Sequence, residues 1–391
     1  MSGLKKILII HPEGNTFNNP TLKCIVDLLR EKNIEIYIKY SQSLAPMPML
    51  NGIKLFPYTG RHKKIKNIIF DKIAIQWLIE LYVRLTVPEN LSGFEFILGV
   101  DRQGLIEAAA LSRIYGLRCV FISFEIMFEA ETGLRYKNIE RKASRQIKYW
   151  FVQDEIRKQC LIEENNLPEK DSVLVPLASA GKGVFDKKRL RDELAIPIGK
   201  KVAILIGSIA NWSMAKEIIE SVSGWSEDWV LIIHNRYGDT KKAILGLNLN
   251  KSLLLNKIFI SDYASDMVDD MGYILNGISA GFAFYKPDYN GPYTGKNLEN
   301  MGFSSGKIST YLRYGVPVIM NEIGLYSELA KAKKFGFVIN GSDEIPKVLE
   351  IIGLKEDQYR KQAINYFMEN LDFNNYKDLV FRSLDLYVDA K

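Results

Sequence analysis

The stretch 302–319, GFSSGKISTYLRYGVPVI, sets a polar, glycine-containing turn directly ahead of a helical pattern. A Walker loop needs a glycine, four residues, then Gly-Lys and a hydroxyl residue, because that spacing wraps amides around phosphates and puts a hydroxyl on magnesium. Here only three residues separate Gly302 from Gly306, and Ile308 stands where the hydroxyl belongs. The NTPase reading fails on both counts. What remains is a helix start over Ser304, Ser305 and Gly306, whose first-turn amides lack intrahelical partners and whose dipole is positive, with the Lys307 ammonium beside it. That combination favours an anion.

Three other places set ionisable side chains just after apolar, strand-like runs: His11, Glu13 and Gly14 in ILIIHPEGN, Asp101 and Arg102 in ILGVDRQG, Glu125 and Glu129 in VFISFEIMFE. A carboxylate so placed can take a proton from a hydroxyl or orient a polar substrate. For Asp101, capping the helix that begins at GLIEAA is a competing role. Glu125 follows an apolar strand and precedes further apolar residues, a setting that ordinary solvation explains less well.

The elements that would position these groups repeat a single pattern. Strand-length apolar runs (ILII, FEFILGV, LRCVFISF, YWFVQ, SVLVPLA) alternate with helical segments up to about residue 180, and the alternation restarts with KVAILIG, WVLIIH, KIFISD, AGFAFY, VPVIMN and FGFVI. Such alternation argues for an α/β protein with parallel sheets covered by helices on both faces. We expect a first Rossmann-like domain over 1–180, a Gly-, Lys- and Pro-rich linker over 181–198, a second Rossmann-like domain over 199–370, and a C-terminal helix over 371–391 packing back on the first domain. Two such domains facing a central cleft bring the carboxyl ends of both sheets to one place, where open α/β sheets bind ligands. Neither first strand is followed by G-x-G-x-x-G; Gly14 and Gly207 stand alone, which disfavours a nicotinamide or flavin enzyme.

The order and spacing of ISAGFAFYKPD, GKISTYLRYGVPVIMNEIGLYSEL and KKFGFVIN resemble the GT-B glycosyltransferases, in particular their large nucleotide-sugar-dependent retaining superfamily. The resemblance covers nearly the whole chain in organisation and is motif-grade only in the second half. It implies that the second domain holds a nucleoside-diphosphate sugar, with Ser304, Ser305, Gly306 and Lys307 receiving the pyrophosphate, and that the first domain holds the acceptor. A leaving diphosphate gains charge as the glycosidic bond breaks, so aligned amides and a lysine would act most strongly in the transition state.

The sequence also departs from the family. Its paired glutamates would fall on Gly302 and Thr310, so both are missing, although Glu299 lies three residues upstream and Thr310 could still meet a ribose hydroxyl. The family's Arg and Lys after the first strand of the second domain are replaced by IGSIANWSMAKE, with Ser208 and Trp212 in that neighbourhood, and Arg236 is the nearest cationic substitute. Gly14 is grouped with these donor-binding residues. The resemblance places Asp101 and Glu125 near the transferred sugar or the acceptor, as bases if the reaction inverts and as orienting groups if it retains. Retention is the lean. The function implied is hexosyl or hexosaminyl transfer to a glycan or lipid-linked acceptor in surface polysaccharide biosynthesis, without cofactor or required metal. The alternatives are a GT-B sugar-nucleotide epimerase or hydrolase, and a non-catalytic nucleotide-binding homologue.

Over 391 residues the composition is 47% hydrophobic and 25% charged with a net charge of +6. These are values of a soluble globular chain, and no run of about 18 apolar residues offers a membrane span. The N-terminal apolar run reads as a strand and is too short for a leader. Cys24, Cys119 and Cys160 suit reduced thiols rather than disulfides or zinc, so a cytoplasmic protein is expected. Residues 61–84 interleave Arg61, Lys63, Lys64, Lys66, Lys72 and Arg84 with apolar residues, as a core helix with a solvated face would, or as a segment lying on an anionic bilayer. The basic stretch 135–150 supports the second possibility. Neither has the pattern of an RNA-binding motif, so nucleic acid is not expected as a partner.

Overall fold

A computed structural model of the protein describes residues 5–14, 16–41, 51–87, 89–235, 238–247, 257–263 and 271–384. Its contacts divide the chain into two units. The first comprises Met1–Pro176, Tyr289–Asn300 and Tyr376–Lys391; the second comprises Leu177–Asp288 and Met301–Asn375. The alternation of strands and helices that sets a boundary near residue 180 gives no reason to expect the excursion at 289–300. The stretch 181–198 is counted with the second unit and contains the short helix Leu190–Glu193.

In the first unit, strands β1 (Lys6–His11), β2 (Glu35–Tyr40), β3 (Ile53–Pro57), β4 (Phe94–Val100), β5 (Arg118–Ile122), β6 (Ile147–Val152) and β7 (Ser172–Leu174) form one sheet in the order 3-2-1-4-5-6-7. All pairings are parallel. Parallel strands are covered on both faces, which is why β1 and β4 read as unbroken apolar runs. Ile7 to Ile10 and Phe96 to Leu98 are accordingly buried. The helix Asp101–Tyr115 leaves β4 without a connecting loop and stops at Gly116, whose φ of 69° is the left-handed conformation that glycine adopts at least cost. It lies tight on the sheet because neither Gly99 nor Gly104 has a side chain: a Cβ on Gly104 would meet the Ile10 carbonyl at 2.5 Å, and one on Gly99 the Gly104 carbonyl at 2.6 Å. That close approach brings the ends of β1 and β4 together, and with them Glu13, Asp101 and Arg102. The helix Lys377–Ser383 also belongs to this unit, with Lys377 3.9 Å from Glu31 and Lys32 over the Phe381 ring.

In the second unit, β8 (Lys201–Ile206), β9 (Trp229–His234), β10 (Ile258–Ser261), β11 (Ala280–Phe282), β12 (Val318–Met320) and β13 (Gly336–Val338) form a second all-parallel sheet in the order 10-9-8-11-12-13. The helix Gly306–Arg313 is fixed to it by one residue. The Tyr311 ring lies over Gly281, where a Cβ would come within 2.7 Å of it, and its hydroxyl bonds to the Ile204 carbonyl and the Ile206 amide at 3.2 Å each. Burial raises the pKa of that phenol, so it stays a neutral donor. The helix start is thereby held at the carboxyl end of β8.

Candidate active site

The anion-ready turn lies in the second unit. Ser305 is the N-cap of the helix Gly306–Arg313: its hydroxyl accepts from the Ile308 amide at 3.2 Å and bonds the Tyr285 hydroxyl at 2.7 Å. The Ser304 hydroxyl donates to the Met301 carbonyl at 2.7 Å. Both serine side chains are thus engaged locally, and the amides of Gly306 and Lys307 remain as first-turn donors with no carbonyl one turn back.

Lys307 is the charged member of this turn. Its Nζ is buried without a hydrogen-bond partner, sits 5.1 Å from the centre of the Tyr285 ring, and its stem passes beside Gly207. Burial pushes its pKa down to about 8. A buried ammonium satisfied only by an aromatic face is a costly arrangement in a resting protein, and an incoming anion would relieve it. Tyr285 is itself stacked on Trp212, with ring centroids 6.1 Å apart. Ser208 follows Gly207 at the end of β8, and Thr310 lies one turn into the helix. Arg236 falls outside the described residues. Sequence reasoning did not single out Tyr285, which closes AGFAFY. The signal available was an aromatic residue directly after a buried strand.

The first unit builds a separate constellation at the carboxyl ends of β1, β4 and β5. Gly14 packs against the His11 ring, where a Cβ would lie 2.7 Å from Nε2. Burial lowers the His11 pKa to about 4 and keeps the ring neutral. Asp101 adopts φ 52°, and its Oδ1 accepts from the backbone amides of Phe124 at 2.6 Å and Glu125 at 3.0 Å. Burial and the nearby Glu13 carboxyl raise its pKa, while those two amides oppose the rise. Asp101 therefore ties the end of β4 to the turn after β5 through Oδ1, and its side chain does not cap the following helix. Asp101→Ala removes the acceptor of the buried Phe124 amide and the partly buried Glu125 amide and leaves alanine in the left-handed region, so a loss of about 2–4 kcal/mol is expected in urea denaturation.

Glu125 receives a hydrogen bond from the Asn297 side-chain amide. Burial of its carboxyl raises the pKa, opposed by the Arg157 charge and by that amide. Arg157 is fully buried and donates to Gln153 Oε1 at 2.7 Å, the Phe124 carbonyl at 2.7 Å, Asn297 Oδ1 at 3.1 Å and the Asn300 carbonyl at 3.2 Å. Asn297 also accepts from the Ile126 amide at 2.9 Å. The excursion 289–300 is thus bonded to the residues around Glu125, a contribution that strand–helix alternation could not announce. Glu299, considered above as a stand-in for a missing glutamate, lies in this excursion and accepts from the Tyr289 hydroxyl. Glu129 pairs with Arg141 at 2.6 Å. Among the described residues no group of three or more His, Cys, Asp or Glu could hold a metal, and no helix is long and apolar enough to cross a membrane.

The two all-parallel α/β units are those of the GT-B fold, which the matching solved structures share. Residues 292–379 match the family described as Glucosyltransferase 3-like, C-terminal domain. No curated protein sequence matches the chain. Solved structures do. Sucrose-phosphate synthase from Thermosynechococcus elongatus superposes with a TM-score of 0.68 at 10% identity, covering 97% of this chain and 99% of that one. Anabaena HepE in complex with UDP-glucose gives 0.67 at 14% identity, covering 98% and 100%. WaaG, a glycosyltransferase involved in lipopolysaccharide biosynthesis, gives 0.62 at 10% identity, covering 96% and 99%. At these identities the likeness is one of fold, and it extends over nearly the whole chain.

Proposed function

We propose that the chain is a glycosyltransferase that takes a sugar from a nucleoside diphosphate and joins it to a hydroxyl of a glycan or lipid-linked acceptor, in surface polysaccharide assembly. The observation that carries this reading is Lys307, a buried, unpartnered cation at a helix start. As the acceptor oxygen bonds to the anomeric carbon, the bond from that carbon to the diphosphate breaks. The amides of Gly306 and Lys307 and the Lys307 ammonium would hold the charge the diphosphate gains. The hydroxyl proton goes to Glu125 if the configuration inverts, and to the departing phosphate if it is retained. A uridine nucleotide is the first donor to try, because HepE in the same fold is described with UDP and UDP-glucose. No metal is assigned a role. The test is mass-spectrometric detection of an elongated acceptor with a panel of donors. Nucleotide released at the same rate with and without acceptor would favour a hydrolase or epimerase, and binding without turnover a non-catalytic homologue.

One face of the first unit favours an anionic bilayer as the place of work. Ile65, Ile68, Trp77, Leu81 and Leu85 are exposed, the last three at four-residue spacing along the helix Gln76–Thr86, while Phe70, Ile79, Tyr82 and Val83 on the other side are buried. Arg61, Lys64, Lys72 and Arg84 are exposed around them. The two acids of the segment, Asp71 and Glu80, are bonded to Arg102 and Arg113. Lys66, counted among the surface cations from sequence, is instead fully buried. In the second basic stretch, Lys137 is likewise buried with Glu140 and Asn165. Sedimentation with phosphatidylglycerol vesicles at low salt is expected for the intact protein, and each reversal among Lys64, Lys72 and Arg84 should weaken it by about 1 kcal/mol. Protein that stays in the supernatant would end the membrane assignment.

A further inference from the structure

Within the first unit, the turn after β5 is fixed through its backbone on both sides of Glu125. Asp101 Oδ1 takes the amides of Phe124 and Glu125, the Ser123 hydroxyl donates to the Glu125 carbonyl at 3.2 Å, and Arg157 donates to the Phe124 carbonyl at 2.7 Å. The Ile126 amide goes to Asn297 Oδ1 at 2.9 Å. Among the described residues, the Glu125 carboxylate itself takes one hydrogen bond, from Asn297 Nδ2 to Oε2. A single side-chain amide thus spans the backbone after Glu125 and the carboxylate, which fixes the side chain against its own main chain.

The orientation of that amide is not free. Oδ1 also accepts from Arg157 Nη2 at 3.1 Å, and both of its partners, a backbone amide and a guanidinium, can only donate. Turning the group over would set its NH2 against two donors, so Nδ2 must face Glu125. Asn297 is 4% exposed, and the other acceptor of Nδ2, the Tyr293 carbonyl, lies at the longer distance of 3.4 Å. An N–H donor at a carboxylate favours its charged form, and the buried Arg157 charge acts in the same sense. Asp101 and Tyr293 are the other titratable groups beside the carboxyl. We propose that Asn297 is a positioning residue for Glu125: it holds one carboxylate oxygen through the only amide orientation that Ile126 and Arg157 permit, and leaves the other unbonded for a substrate hydroxyl. The part Glu125 plays in a reaction rests on the glycosyltransferase reading, and the positioning on these hydrogen bonds alone.

A titration of the carboxylate separates the two without any turnover. In the full chain, labelled with glutamate carrying carbon-13 at its side-chain carboxyl, the Glu125 resonance is the one missing from Glu125→Gln, and NMR follows its midpoint with pH. In the wild type, the Asn297 side-chain NH2 resonance should titrate with that same midpoint. Asn297→Asp keeps an acceptor for Ile126 and Arg157 but replaces the donor with a second carboxylate, so the pair holds a proton to higher pH and the midpoint should rise by about one unit or more. Asn297→Ala removes the donor without adding a charge and should raise it by less. An Asn297 resonance indifferent to the midpoint, or a midpoint that keeps its wild-type value or falls in both variants, in protein that melts cooperatively, would overturn the proposal and leave Asn297 as a tether of the excursion. If the midpoint moves as expected while no donor and acceptor give product, the positioning stands and the transferase reading fails; where product forms, the acid limb of the kcat profile should move with the midpoint.

Discussion

Lys307→Met is expected to weaken nucleoside-diphosphate binding by about 10- to 150-fold, the equivalent of one charged hydrogen bond at about 1.5–3 kcal/mol, without lowering the melting temperature. The two halves of this result have one cause. With a pKa pushed down to about 8 in the folded chain, the Lys307 ammonium is held at a cost in the absence of ligand. Between that value and the ordinary lysine pKa the unfolded chain binds more protons, so stability rises with pH across the window, and below pH 8 the whole cost is present. At pH 7 the methionine variant should therefore melt at the same temperature or higher, and the difference should shrink as pH approaches 10. Donor affinity of the wild type should fall as pH rises above 8, because binding must then restore the proton. Thermal melts and nucleotide titrations from pH 6 to 10 check both halves. If affinity at the helix start is indifferent to Lys307 and to pH, the Ser305 cap is all that this turn contributes.

Glu125→Gln is expected to lower kcat by about 10²- to 10⁴-fold if the carboxylate takes the acceptor proton, and by less if it only orients the sugar. Nucleotide affinity should stay near wild type, and the melting temperature should fall because the buried Arg157 loses its main compensating charge. A glutamine can still accept from the Asn297 amide, so the excursion stays bonded, whereas it can neither take a proton nor offset the buried Arg157 charge. The pH profile separates a proton acceptor from a positioning group. With its pKa raised by burial, Glu125 in the base role gives a rate that climbs with pH as the carboxyl loses its proton, and the variant loses that limb. Full activity in Glu125→Gln would remove the residue from the reaction.

The parts of the fold that could be read from the sequence were those written in local pattern. Most β-strands here are buried runs followed by a helix, so both sheets and the helix start over 304–306 could be anticipated, whereas β2 and the half-buried β3 lie outside the runs that the pattern picks out. What could not be read depends on long-range pairing. Asn297 looks like a loop residue until it bonds Glu125, Ile126 and Arg157, which lie 140 to 172 positions away in sequence. Lys66 sits in a basic run that suggests solvent, yet it is fully buried with its Nζ 4.6 Å from the centre of the Tyr58 ring. Asp101 has the composition of a helix cap, but its left-handed backbone turns the carboxylate toward the next strand's exit instead. Sequence spacing identifies where a strand ends, and only the packing decides which side chain at that end remains free to meet a substrate.

Calorimetric titration of the intact chain at pH 7 with UDP, GDP, TDP and ADP decides whether the helix start at 306 is a nucleotide site. At least one of them should bind saturably at a single site per chain, with UDP the first candidate, and Lys307→Met should weaken that same titration. Failure of all four to bind at millimolar concentration, in protein that melts cooperatively, would contradict that assignment.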